Sequence, residues 1–144
     1  MPTEALLEIS RPARRKVAKI LLADSDLASR LTLKSLLSKA GYAVEGAASA
    51  AEAMSRLDAH EFQLVLADLR AESATAGQAL LAFARQKAYR PATALVTSDM
   101  TGPSTWRDAD RVVSVTNEDV SNFLANIAEL IGNRADRRMR SRVA

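Results

Sequence analysis

The segment Phe62-Gln63-Leu64-Val65-Leu66-Ala67-Asp68-Leu69-Arg70 constrains the fold more than any other stretch. An unbroken apolar run from Leu64 to Ala67 ends on Asp68. A short run of that kind, bounded by polar residues, predicts a strand buried on both faces. Asp68 then stands at the strand's carboxyl end, the edge where open α/β sheets bind ligands. Lys19-Ile20-Leu21-Leu22-Ala23-Asp24-Ser25-Asp26 repeats the arrangement. Paired strands lie about 4.8 Å apart, so Asp24 and Asp68 can share a small cation if these two strands are neighbours. The plainer alternative is that the aspartates cap the helices that follow, and for Asp26 that is the expected role.

The other elements are punctuated by caps and breakers. Ser25 or Asp26 caps a helix to about Ala40, with Leu27, Leu31 and Leu37 as its apolar face and Leu33 and Leu36 widening it. Gly41 ends it. Tyr42 to Ala47 is a short strand. Ser49-Ala50-Ala51-Glu52 is a capping box, opening a helix with Ala50, Ala53, Met54 and Leu57 on one side that ends near His60. Gly77 to Ala88 forms a helix with Leu80, Leu81 and Ala84 inward, broken by Pro91. Ala92 to Thr97 and Arg111 to Val115 are further strands, and 104–109 leaves room for one or two helical turns. The last helix, capped by Thr116 or Asn117, carries Val120, Phe123, Leu124, Ile127, Leu130 and Ile131 at helical spacing, with Gly132-Asn133 as its stop. Five β-then-α units predict a three-layer α/β sandwich around a five-stranded parallel sheet.

At 144 residues the chain suits one domain with a real core. It has no cysteine, which excludes disulfides, thiolate metal sites and a cysteine nucleophile and fits a cytoplasmic protein. His60 is the sole histidine, so no histidine-based metal cluster can form. No apolar run approaches the ~18 residues of a membrane span, and no secretory segment is recognisable. The net charge of +3 is uneven. Residues 1–16 carry +2, and 134–144 carry +4 from five arginines against Asp136, leaving −3 for the body. The expected organisation is a basic extension (1–16), a domain (17–133) and an arginine-rich tail (134–144) without an apolar face, disordered or ordered by a partner. The tail could contact nucleic acid, an acidic partner or an anionic surface. The acidic body argues against nucleic acid as the partner of the fold itself.

From about Lys19 to Ile131 the chain resembles the receiver domain of two-component response regulators. Ile20-Leu21-Leu22-Ala23-Asp24-Ser25-Asp26, followed by Arg30, resembles that family's first strand and acidic cluster. Leu64-Val65-Leu66-Ala67-Asp68-Leu69 resembles the phosphoacceptor strand, and Ala94-Leu95-Val96-Thr97-Ser98 the fourth. Ala109-Asp110 resembles the turn before the fifth strand. The resemblance implies a flavodoxin-like sheet of strand order 2-1-3-4-5 and a signalling domain, not an enzyme. It implies that Asp68 accepts a phosphoryl group from a histidine kinase or phosphotransfer protein. It further implies that Asp24, Asp68 and the backbone carbonyl of Arg70 hold Mg²⁺, with Thr97 hydrogen-bonding the phosphoryl oxygens. Homodimers are common in the family.

The sequence also departs from the family. Ser25 stands where a second acid is usual, and Val115-Thr116 where the fifth strand ends in a Lys-Pro pair. Lys87 is the last lysine of the chain. Losing such a donor typically costs ~10²–10³ in rate. The usual aromatic of the fifth strand is Val112, Gly77 sits about one residue late, and the fourth helix, which includes Trp106, is short or irregular. The expectation is therefore a stand-alone degenerate receiver that works mainly through protein docking. An active receiver phosphorylated on Asp68 is the alternative. A remote third reading is a haloacid-dehalogenase-like phosphatase, because Asp24-Ser25-Asp26 also resembles that family's nucleophile and acid/base pair. It needs a later lysine, which is missing after Lys87.

Overall fold

The computed structural model describes residues 17–69, 72–73, 75–97, 111–114 and 120–143; for Thr97, 111–114 and 140–143 it describes the backbone alone. Nine elements follow in order: β1 (Lys19–Asp24), α1 (Leu27–Lys39), β2 (Ala43–Ala47), α2 (Ala50–Ala59), β3 (Leu64–Asp68), α3 (Ala76–Arg85), β4 (Ala92–Thr97), β5 (Arg111–Ser114) and α4 (Val120–Val143). The strands form one parallel sheet in the order β2-β1-β3-β4-β5. The short helix expected at 104–109 and the cap at 116–117 lie outside the described residues.

Alternation along the strands divides the core into two layers. Leu21, Ala23, Val65, Ala67 and Leu95 face α2 and α3, where they meet Ala53, Leu57, Leu80, Leu81 and Ala84. Ile20, Leu22, Leu64, Leu66, Ala94 and Val96 face α1 and α4, where they meet Leu33, Leu37, Phe123, Ile127 and Leu130. Full burial of a leucine, isoleucine or phenylalanine contributes about 1.5–3 kcal/mol. Both faces of β1 and β3 are therefore apolar, and Asp24 and Asp68 are the first carboxylates the strands reach as they leave the core.

Local caps set the helix ends. Asp26 is the N-cap of α1, its Oδ2 accepting the Ser29 N–H at 2.8 Å. At the other end Gly41 takes φ +104°, open to glycine and costly for other residues. The Tyr42 N–H reaches the Leu37 carbonyl and the Gly41 N–H the Ser38 carbonyl, closing a Schellman motif. Ser49 caps α2 by accepting the Glu52 N–H at 3.1 Å, and Glu52 returns to the Ala48 N–H at 3.1 Å, one residue earlier than in the reciprocal box expected.

Three expectations need correction. The inward face of α1 is Leu33 and Leu37 with Leu36 half-buried, whereas Leu27 and Leu31 point to solvent at 59% and 56% exposure. At 100° per residue, Leu27 and Leu31 lie more than 100° from Leu33, so one stripe cannot hold both sets. Helix α3 stops at Arg85, where the Gln86 and Lys87 N–H groups bond three residues back to Phe83 and Ala84. The chain then turns through Arg90, the residue before Pro91, at φ +42°. Finally, α4 does not end at Gly132-Asn133 but continues to Val143. Gly132 lacks the positive φ of a terminating glycine. Arg134, 8% exposed, donates from Nε to the Arg90 carbonyl at 3.0 Å and from Nη2 to the Tyr89 carbonyl at 2.7 Å.

Candidate functional site

Asp24 and Asp68 are register partners of the parallel pair β1 and β3. The two carboxylates thus share one rim of the sheet, as the strand ends predict. Asp24 is 1% exposed and Asp68 half-buried. The Ser25 N–H donates to the Asp68 carbonyl at 3.3 Å, stitching the chain after β1 to the end of β3.

Asp24 is held from three directions. Its Oδ1 accepts the Asp26 N–H at 2.9 Å, its main-chain carbonyl accepts Arg30 Nη1 at 2.7 Å, and its strand is buried. Its Oδ2 is buried and has no hydrogen-bond partner among the described residues. A buried carboxylate oxygen without a partner is costly, and a bound cation would supply that partner. The donor set suits Mg²⁺, which takes one or two carboxylates and fills its remaining positions with water and substrate oxygens. Asp24 and Asp68 would hold the ion and Mg²⁺ would neutralise developing charge there. Among the described residues no group of three or more His, Cys, Asp or Glu gathers at one point. Asp26 does not complete such a group because its carboxylate is engaged as the α1 cap.

Other expected site residues are placed only in part. Thr97 ends β4 on the same edge of the sheet, opposite Ser114 of β5. The Arg70 carbonyl and Val115-Thr116 lie outside the described residues. Lys87 is ion-paired with Asp58 of α2 and lies 4.7 Å from the Phe83 ring centroid.

Two further side chains support the site, Glu72 without any local sequence signal and Arg30 from the motif that follows the first strand. Glu72, just after β3, accepts the Ala50 N–H at 3.1 Å and ties the loop beyond Asp68 to the start of α2. Arg30 lays its stem over Gly46, where a Cβ would come within 3.3 Å of Arg30 Cδ. It also lines a cavity of about 380 Å³ on the β2 edge, with Lys34, Glu45, Glu52 and Arg56. Arg56 bridges Glu45 and Glu52, each at 3.1 Å. Glu52's carboxyl is held below its ordinary value first by the Ala48 N–H and then by Arg56.

No protein-family profile and no curated protein matches the sequence. Solved structures do match. The signal receiver domain of an HD domain-containing protein from Pseudomonas fluorescens Pf-5 superposes with a TM-score of 0.71 at 25% identity, over 86% of this chain and 93% of its own. A CheY-like response regulator receiver domain protein from Methanospirillum hungatei JF-1 gives 0.71 at 24% identity, over 85% and 99%. The response regulator TrrA from Thermotoga maritima, solved with Mg²⁺ and BeF, gives 0.68 at 23%, over 79% and 99%. With its β2-β1-β3-β4-β5 parallel sheet and an aspartate ending both β1 and β3, this chain has the fold of a CheY-like response-regulator receiver domain.

Proposed function

We propose that this chain is a receiver-like domain of two-component or phosphorelay signalling that acts mainly by docking to a protein partner. The observation that carries this reading is the outward pair Leu27 and Leu31 on α1, within two turns of Asp24. Large apolar side chains beside a phosphoacceptor edge suit a partner that must cover that edge. The partner class is a histidine kinase or phosphotransfer protein. TrrA, a structural neighbour, has been solved in complex with the histidine kinase ThkA. The degenerate character follows from Ser25 and Val115-Thr116 at two positions that normally carry charge. With Asp26 engaged on Ser29, nothing on α1 restores the missing acid.

The orphaned Asp24 Oδ2 favours a second reading, an active receiver. Phosphoryl transfer from a phosphohistidine would break the P–N bond and form a P–O bond to Asp68. Asp24 with Asp68 and the Arg70 carbonyl would hold Mg²⁺, and Thr97 would donate to a phosphoryl oxygen. Such transfer depends on positioning and charge neutralisation. The phosphatase alternative has its second carboxylate, Asp26, on the helix cap.

An amide NMR titration with Mg²⁺ and then beryllofluoride, beside an Asp68→Asn control, separates the readings. Docking without switching predicts shifts confined to Asp24, Asp68 and Thr97, or none. Shifts that also spread through Val112–Val115 and α4, and vanish in the control, establish a live switch and reject the degenerate reading.

A further inference from the structure

Strand β2 is an edge of the sheet, paired on one side only, with β1. In a parallel ladder the backbone groups of successive residues point alternately to the two sides. The Ala43 N–H donates to the Ala18 carbonyl at 3.0 Å, so Ala43, Glu45 and Ala47 turn towards β1. Val44 and Gly46 therefore present their N–H and C=O groups outwards. None of these groups has a hydrogen-bond partner among the described residues. Both residues line the cavity of about 380 Å³ on this edge.

Open edges are usually guarded by charged side chains, proline or a bulge. The one charged residue of β2 is Glu45, and Arg56 bridges it to Glu52 at 3.1 Å on each side. Water satisfies such an edge in the free protein, so the open backbone groups by themselves name no ligand. Charge does. Arg30 and Lys34 stand one turn apart on α1 and line the same cavity. Arg30 uses one N–H on the Asp24 carbonyl, Lys34 is exposed, and neither has an ion pair among the described residues. Gly46 lies on their face of the sheet, its absent Cβ leaving room for the Arg30 stem. A second copy of β2 fits poorly here. Two-fold pairing would bring the α1 cations of both chains over one edge, like charge against like.

We propose that the β2 edge takes up an extended acidic peptide segment of a partner protein as a sixth strand, its main chain on Val44 and Gly46 and its carboxylates over Arg30 and Lys34. Main-chain bonds give strand addition its affinity, and flanking side chains give it selectivity. The surface is separate from the carboxylate edge, to which Arg30 alone connects it.

Amide NMR and hydrogen exchange on the full chain test this, with a heptapeptide in which glutamate alternates with threonine as the probe. The peptide should shift the Val44 and Gly46 amides and slow their exchange about threefold at twice its Kd. The Glu45 amide, which faces β1, should change little. The lysine–threonine counterpart should not bind. Lys34→Glu should weaken binding about fivefold and leave thermal unfolding unchanged. Of two glutamate peptides N-methylated on alternate amides, one should lose binding and the other keep it, because only one set of amides faces β2. Absence of shifts at about 10 mM peptide, shifts without slower exchange at Val44 and Gly46, or equal binding of the lysine peptide overturns the proposal. So does protection of these two amides before peptide is added. Protection that grows with protein concentration would assign the edge to a second copy, and protection that does not would assign it to the chain's own segments outside the described residues.

Discussion

Asp24 is almost wholly buried, with Oδ1 on the Asp26 N–H and Oδ2 lacking a partner among the described residues. Its register partner is a second aspartate. Without a cation the buried Oδ2 carries an uncompensated desolvation cost. Asp24→Asn should therefore raise stability in EDTA by about 1 kcal/mol, read from urea unfolding, while abolishing Mg²⁺-dependent shifts. A loss of stability would mean that the charge of Asp24 is itself a structural asset. Glu52 is a different case. Its folded-state pKa is depressed below 4.5 by the Ala48 N–H and Arg56. An unfolded chain then binds more protons as pH falls, so the contribution is present above pH 4.5 and is lost on acidification below it. Glu52 is largely exposed and the effect is small. Glu52→Gln should flatten the acid limb by lowering the neutral unfolding midpoint slightly and leaving the acidic value close to unchanged.

Among the elements, α4 changes most between sequence and structure. Its 24 residues run about 36 Å. Phe123, Ile127 and Leu130 secure the first half in the core. The second half depends on Arg134, whose pKa is lowered chiefly by burial and then by Arg138. Its hydrogen bonds go to the carbonyls of the turn that α3 leaves behind. Tyr89 in that turn is itself held, donating its hydroxyl to the Leu57 and His60 carbonyls. Burial, then Glu61 and Asp58, pushes its phenol up to about 12, so it keeps its proton at neutral pH. Arg134→Ala should cost about 2 kcal/mol by removing charge-assisted bonds to the Tyr89 and Arg90 carbonyls. Amide exchange should quicken from Gly132 to Val143 and stay slow around Phe123 to Leu130.

For the molecule as a whole, the division of leucines decides which surface it presents. Leu33 and Leu37 close the layer under α1 and α4, while Leu27 and Leu31 remain outside it. Leu33→Ala should cost about 2–5 kcal/mol in unfolding free energy. Leu27→Ser/Leu31→Ser should stay within about 0.5 kcal/mol per site of the parent, and under the docking reading it should abolish partner binding. A large destabilisation by the double variant would place those leucines in the core and remove the proposed docking face. Among the described residues no helix is long and apolar enough to cross a membrane.

Strands β1, β3 and β4, with Asp24 and Asp68 at two of their ends, were legible in the sequence because an unbroken apolar run between polar residues fits a strand covered on both sides. The α1 and α2 caps were legible because Asp26 and Ser49 act within three or four residues of themselves. The leucines of α1 were not. Leu27, Leu31, Leu33, Leu36 and Leu37 make several arcs comparably apolar, and only the position of the sheet selects one. The continuation of α4 was also hidden, since Arg134 finds its carbonyls 44 and 45 residues away. So was the bond from the Ala50 N–H to Glu72, across 22 residues. What the sequence determined acts along the chain, through burial pattern and capping. What the tertiary structure alone decided are the pairings of groups distant in sequence, which no local periodicity encodes.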